Sequence, residues 1–473
     1  MPYGSGCWIP EFLIIMTFVT QKFKYLCHKM KYMISESKIL EVLSSWNFWG
    51  EGVETGIERN LSEKIISLLS GVNKVIAVYG VRRAGKSYLL RQVAEKMSRK
   101  LGSKNVLYIN FEEASFPVKM DVHFLIKVYE TYLKHVSPDK KPVILLDEVQ
   151  EVLGWERFVR TLNEKNEARV VISGSSSKLM AGEISDILSG RTIDIEVFPL
   201  GFEEFLIFKN FRDSLKIRAM KNFLFEYLRF GGFPEVVLEE NRTKKLEIVR
   251  NYFRTIILKD VVLRYGIRRE DMLESIARFI VSNPSAYLSI RKMSKSLQVP
   301  LKTTERYLTH LASSLLYYRL RKFSTSVREQ DRSPMKIYLV DTSFFTASGF
   351  RISENTGRLM ENLVAVELLR RRRHIKPETE VFYFRDSQQH EVDFVIKEGL
   401  KVKELIQVSY ASSFDEVEHR EIRALLKAGD LLKCRELKVI TWDYEDEREV
   451  SWFGRHGRIK FVPMWKWLLD LDG

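Results

Sequence analysis

Cysteine is scarce in this sequence: three in 473 residues (Cys7, Cys27 and Cys434), odd in number and with no paired spacing. That pattern excludes a disulfide framework and a cysteine-rich zinc site, and it fits a reducing cytosol. Long apolar runs are missing as well. Nothing approaches eighteen uninterrupted apolar residues, so no stretch reads as a bilayer-spanning helix and stable membrane insertion is not expected. Trp8–Val19 is apolar, but Pro10 and Glu11 interrupt it and no basic segment precedes it, a poor shape for a secretory signal. Residues 1–32 have two readings, a membrane-surface anchor or a segment upstream of a true translation start at Met30 or Met33.

What is present describes a folded, basic, multidomain protein. Hydrophobic residues make up 45% and aromatics 12%, and the length suits about three domains. The net charge of +14 favours a polyanionic partner such as nucleic acid. Most of it is concentrated: residues 241–330 carry 19 Lys/Arg against 7 Asp/Glu, a surplus of 12.

The chain is organised around KVIAVYGVRRAGKSYLL, residues 74–90. A Val/Ile-rich run reads as a buried parallel strand, GVRRAGKS matches the phosphate-loop pattern G-x-x-x-x-G-K-[ST], and helical spacing follows from Ser87. Glycines there let successive N–H groups converge on an anion at a helix N-terminus. Gly80, Arg82, Arg83, Ala84, Gly85, Lys86, Ser87 and Tyr88 are the candidate triphosphate contacts, with Lys86 on the β- and γ-phosphates and Ser87 on Mg²⁺. Arg82 and Arg83 have a second reading as solvent-facing side chains. In the lead-in ETGIER, Gly56, Ile57 and Arg59 are candidates for the base side, with ordinary packing as the alternative.

Further strands and helices alternate, which indicates a parallel α/β sheet. The run PVILLDEVQ, 142–150, carries Asp147 to a strand end, where it is expected to share Mg²⁺ with Ser87, while Glu148 polarises the attacking water. A later strand in ARVVISGSSSKLM ends in small hydroxyl residues. Ser173 or Ser175 there is a candidate contact to the γ-phosphate or the water, and strand-end serines are also common turn formers. Arg191, between a helix and an expected fifth strand, reads either as an arginine reaching a neighbouring subunit's γ-phosphate or as a surface residue.

GVRRAGKS, LLDEVQ, ISGSSSKL, LSGR before FPLGFEEFL, and GGFPEVV at 231–237 together resemble the AAA-type P-loop ATPases of archaea and bacteria that carry a C-terminal nuclease-like domain. The resemblance runs from about Ile39 to Lys460. It implies ATP and Mg²⁺ as cofactors, hydrolysis by a lid-bearing α/β domain with Gly232 and Pro234 shaping the lid turn, and association with DNA. No guanine-specifying motif of the small-GTPase type is present, and the preference for ATP is what the resemblance implies. The expected architecture is an N-terminal extension (1–38), a P-loop α/β domain (39–205), a helical lid (206–285), a winged helix (286–335) and a C-terminal α/β restriction-endonuclease-like domain (336–473).

In the basic region, Leu288–Phe323 reads as a winged helix: helix Ile290–Leu297, turn QVPLK, helix Thr303–Ser313 and ribbon LLYYRLRKF. Lys302, Thr303, Thr304, Arg306 and Tyr307 are expected to face outward, and Arg319, Arg321 and Lys322 to lie on the ribbon, all toward DNA phosphates. The alternative is a packing role with solvated charges. The tail resembles the PD-(D/E)XK nuclease core, which implies Glu361 and Asp393 as its carboxylates and Gln407 as a further member. Ser409 stands where that core has its lysine, with Lys401 or Lys403 as possible substitutes. This domain is expected to be a binding or interaction module, with an active Mg²⁺-dependent nuclease as the alternative. The run Arg370–Arg373 reads as a solvated face or a phosphate grip. Two functions follow: a DNA-associated ATPase motor or switch, or a signalling or defence switch holding a protein partner. A homo-oligomer is compatible with either.

Overall fold

Apolar runs without polar alternation suit strands covered on both faces, and Val143–Asp147 is buried at all of its positions. The computed structural model describes residues 34–50, 52–175, 188, 190–211, 217–348 and 355–471. The N-terminal segment, the second half of ISGSSSKL and the side chain of Ser175 lie outside the described residues. The chain divides into two compact units, one of residues 1–55, 63–75 and 90–172, the other of 56–62, 76–89 and 173–473.

In the first unit, Val106–Asn110, Val143–Asp147 and Arg169–Ser175 run parallel with Val143–Asp147 in the middle, Asn110 opposite Asp147 and Leu146 opposite Ile172. Helix Glu36–Trp46 packs on strand Val106–Asn110 and on helix Val122–His135. Both helices begin on a side-chain cap, Ser35 and Asp121 respectively. The aromatic turn after the first helix protects the strand beside it. Asn47 exchanges hydrogen bonds with the backbone of Tyr108, and the Trp49 indole donates to Val106 O at 3.1 Å.

The second unit holds residues 56–62 and the phosphate-loop segment, where Val197 N donates to Tyr79 O. A helical region follows: Phe202–Phe208, Ile217–Phe230, Pro234–Leu238, Arg242–Thr255, a π-helical stretch Ile256–Leu263, and Glu270–Val281. Next come strand Tyr287–Leu288, helices Ile290–Leu297 and Leu301–Ser313, and strands Tyr317–Leu320 and Met335–Leu339. Those strands form an antiparallel sheet with Met335–Leu339 in the centre. The strand expected to open the C-terminal domain thus completes the small middle sheet.

The C-terminal region is helix Thr356–His374 and a six-stranded mixed sheet ordered 379–385, 391–398, 401–409, 437–441, 455–463, 446–452. Helix His419–Leu432 covers it over a core that includes Val395, Leu405, Leu425 and Phe461. Among the described residues no helix is long and apolar enough to cross a membrane.

Candidate nucleotide site

The phosphate loop is shaped by two glycines, Gly85 and Gly80. Gly85 has φ +94°, a conformation that side chains disfavour, and Arg83 beside it is also left-handed at +71°. Lys86, the first residue of helix Lys86–Leu101, curls back so that Nζ donates to Gly80 O at 3.0 Å and Val81 O at 3.3 Å. A methyl group on Gly80 would overlap the Val197 carbonyl, so the loop's first residue must be bare.

Arg59 holds this loop from outside. Its guanidinium donates to Ala84 O (2.9 Å) and Phe198 O (3.2 Å) and pairs in two bonds with Glu204. Arg59 is 5% exposed and already engaged, so it braces the loop and is not placed to read a base. Burial works against the Glu204 charge, but Arg59 outweighs it and holds that carboxyl below its usual range. Gly56 lies against the Tyr88 ring, where a Cβ would come within 2.8 Å of Cδ1, and that ring is 42% exposed.

Of the two loop arginines Arg83 is exposed, while Arg82 does not simply face solvent. Arg82 pairs with the buried Asp260 of the π-helical stretch at 3.1 Å, and Arg83 lies over the Tyr252 ring with 5.6 Å to its centroid. Pro234 of GGFPEVV lies 3.6 Å from the position a Gly85 Cβ would take. GGFPEVV is itself anchored by a residue that sequence reading missed, Asp341. Its carboxylate accepts from Gly232 N (2.7 Å) and Ser343 N (3.0 Å) and fills the space a Gly231 side chain would need.

In the first unit, Asp147 ends its strand fully buried and accepts a 2.8 Å hydrogen bond from Tyr108. Burial first, then the Asp147 charge, pushes the Tyr108 phenol far up, so it stays a donor. Glu148 is left-handed at φ +54° and its carboxylate accepts from Gln150. A glutamate in that conformation costs on the order of 1 kcal/mol, and such strain clusters at functional sites. Ser173 is buried near the end of strand Arg169–Ser175. Arg191 directly precedes strand Thr192–Glu196 and is half-buried.

Several expectations for the second unit need correction. Helix Leu301–Ser313 starts two residues earlier than expected, and Thr304 and Tyr307 share its buried face with Leu308 and Leu311. Lys302 and Arg306 are exposed as expected, and Arg319 faces out from its strand. Arg321 and Lys322 lie past the strand end, alongside Tyr383 of the C-terminal sheet, and Lys322 pairs with Glu329 at 2.6 Å.

The arginine run is not a solvated face. Arg370 donates to Pro199 O, Arg371 lies 4.3 Å from the Trp467 ring centroid, and Arg373 pairs with the buried Glu196 at 3.2 Å. Glu196 also accepts from Tyr318 at 2.8 Å.

Of the residues expected of a nuclease-like core, Glu361, Asp393 and Gln407 do come together, and Ser409 hydrogen-bonds Glu421. Asp393 N donates to Gln407 Oε1, and Val408 N to Asp393 Oδ2. The lysine among them is neither Lys401 nor Lys403 but Lys336, whose Nζ lies 2.8 Å from Glu361 and 3.2 Å from Asp393.

The AAA domain family matches residues 72–206, and two domains of unknown function match 221–354 and 356–466. An uncharacterized protein of Methanocaldococcus jannaschii, MJ1544, is 34% identical over 87% of this chain and 91% of its own length. An uncharacterized protein of Haemophilus influenzae is 31% identical over 84% of this chain and 94% of its own. Among solved structures, the Walker-type ATPase PABY2304 of Pyrococcus abyssi aligns with 64% of this chain and 99% of its own at 14% identity, with a TM-score of 0.41. The chain belongs to the family of its Methanocaldococcus and Haemophilus relatives, and its residues 72–206 carry an AAA domain.

Proposed function

We propose that this chain hydrolyses ATP with Mg²⁺ and uses the nucleotide state to reposition a DNA-bound middle region. The observation that carries the reading is the loop itself: a bare Gly80, a left-handed Gly85, and an ammonium at Lys86 resting on two loop carbonyls. These residues fit a triphosphate, since Lys86 can exchange two neutral carbonyls for phosphate oxygens of full charge. Bound Mg²⁺ would neutralise developing charge on the β- and γ-phosphates. Ser87 and Asp147 would hold it, Tyr108 would orient Asp147, and Glu148 would position the water. Ser173 would contact the γ-phosphate, Gly56, Ile57 and Tyr88 would border the base, and Arg191 would serve a neighbouring subunit.

Coupling is supported by the link from Arg82 to Asp260. The π-helical stretch that holds Asp260 leads into the helices of the middle region. That region's elements, a helix, a strand, two helices and two strands separated by the short helix Val327–Arg332, with the last strand central, support a winged-helix reading. Lys302, Arg306 and Arg319 would supply its phosphate contacts. The test is steady-state hydrolysis with and without duplex DNA across salt. Stimulation that fades as salt rises supports the reading, and no response at low salt favours a switch that binds a protein partner.

A further inference from the structure

Lys336 is 3% exposed, yet it sits on the central strand of the small middle sheet and not on the C-terminal sheet. Its ammonium reaches Glu391 at 2.6 Å, Glu361 at 2.8 Å and Asp393 at 3.2 Å. An ammonium has three donors, and here each has a carboxylate in reach. Its cross-strand partner Tyr287 leans the same way and donates to Glu391 Oε2 at 2.6 Å, while Tyr338 donates to Glu361 at 2.7 Å. A fourth carboxylate, Glu421, keeps a buried oxygen without a hydrogen-bond partner, and burial together with Asp393 pushes it up to about 8. The region therefore gathers four carboxylates near the Lys336 ammonium, with Arg385 as a further cation facing Glu391.

A nuclease-like core would place a divalent ion among such groups, and the arrangement does not fit one. Mg²⁺ or Mn²⁺ needs oxygens at about 2.1 Å around a point that Lys336 Nζ fills. Among the described residues no group of three or more His, Cys, Asp or Glu is set to hold a metal. We propose that Lys336 is a built-in counter-ion standing in the place of a divalent cation, and that the cluster accepts such an ion only when this lysine is removed. The small sheet thereby keeps the C-terminal site shut. Without the ammonium, three carboxylates face a vacated centre, and shifts of roughly 0.5 to 1.1 Å bring them to ion-binding distance. This inference is independent of ATP hydrolysis at the phosphate loop.

The test uses the full chain without nucleotide, titrated with Mn²⁺ and followed by loss of the free-ion EPR signal. Wild type should show no Mn²⁺ uptake that Asp393→Asn removes. Lys336→Met should take up one Mn²⁺ per chain, at least tenfold more tightly than wild type, and K336M/D393N should lose it. Asp393-dependent uptake by wild type overturns the proposal, as does a folded K336M with no gain. If K336M folds only with Mn²⁺, a rise in its melting temperature on adding the ion supports the proposal. Should neither K336M nor K336Q fold, the wild-type titration decides.

Discussion

Arg59 and Glu204, 145 residues apart in sequence, are joined by two hydrogen bonds of 2.8 Å each beneath the phosphate loop. The same guanidinium carries Ala84 O and Phe198 O, so one side chain fixes the loop against FPLGFEE. Breaking a buried pair leaves an uncompensated charge, and Arg59→Ala should cost about 3–5 kcal/mol in urea unfolding. Arg59→Lys cannot make the two-pronged contact and should recover only part of that. A loss under about 1 kcal/mol for R59A would contradict the bracing role.

Gly231 and Asp341 test the anchor of GGFPEVV. A methyl group at Gly231 meets the Asp341 carboxylate, and the backbone there is left-handed at φ +71°. Gly231→Ala should destabilise by roughly 3 kcal/mol or more. Combined with Asp341→Gly, the overlap disappears and the two losses should be less than additive by about 1 kcal/mol. Simple additivity in denaturation of all four proteins would show that the two residues do not meet.

Asp260 tests the link from loop to middle region. Asp260→Asn removes the charge that holds Arg82 while keeping the side-chain shape. It should leave ATP affinity within about threefold of wild type and abolish stimulation of hydrolysis by DNA. Full stimulation in D260N would break the proposed coupling.

A pH dependence follows from Asp386, which meets Lys427 Nζ at 2.6 Å and His390 N at 2.9 Å. Burial alone would raise its carboxyl, but Lys427 and His390 outweigh burial and pull it down to about 2. Because the folded value lies below the unfolded one, this stabilisation is complete above about pH 4 and vanishes as pH falls through 2. Asp386→Asn should therefore lose roughly 1–2 kcal/mol at pH 7, with the deficit shrinking as the solution is acidified. A deficit of constant size from pH 7 to pH 3 would argue against the assignment.

The parts legible in sequence are those whose cause is local. A glycine pattern after an apolar run specifies the loop without distant help, and Val143–Asp147 is buried because its own residues demand it. What sequence reading missed was set by partners far along the chain. Asp341 explains the bare Gly231 and the Leu200 backbone the bare Gly232, and Arg370 and Arg373 are bound at Pro199 and Glu196, whereas charge runs usually face water. Thr304 and Tyr307 were misplaced by helix phase. Each residue turns a helix by about 100°, so residues 302–307 wrap more than a full turn and cannot all face outward: Lys302 and Arg306 do, Thr304 and Tyr307 do not. Lys336 was missed as the partner of Glu361 and Asp393 because it reaches them from a strand of the small middle sheet, outside the C-terminal sheet.

The central claim is that the loop ammonium and the strained glutamate divide binding from hydrolysis. ATP affinity and steady-state turnover of wild type, Lys86→Ala and Glu148→Gln test it most directly. K86A should lose about a hundredfold or more in ATP affinity, while E148Q should bind ATP like wild type and hydrolyse it about a hundredfold more slowly. Wild-type ATP affinity in K86A, or undiminished turnover in E148Q, would contradict the account.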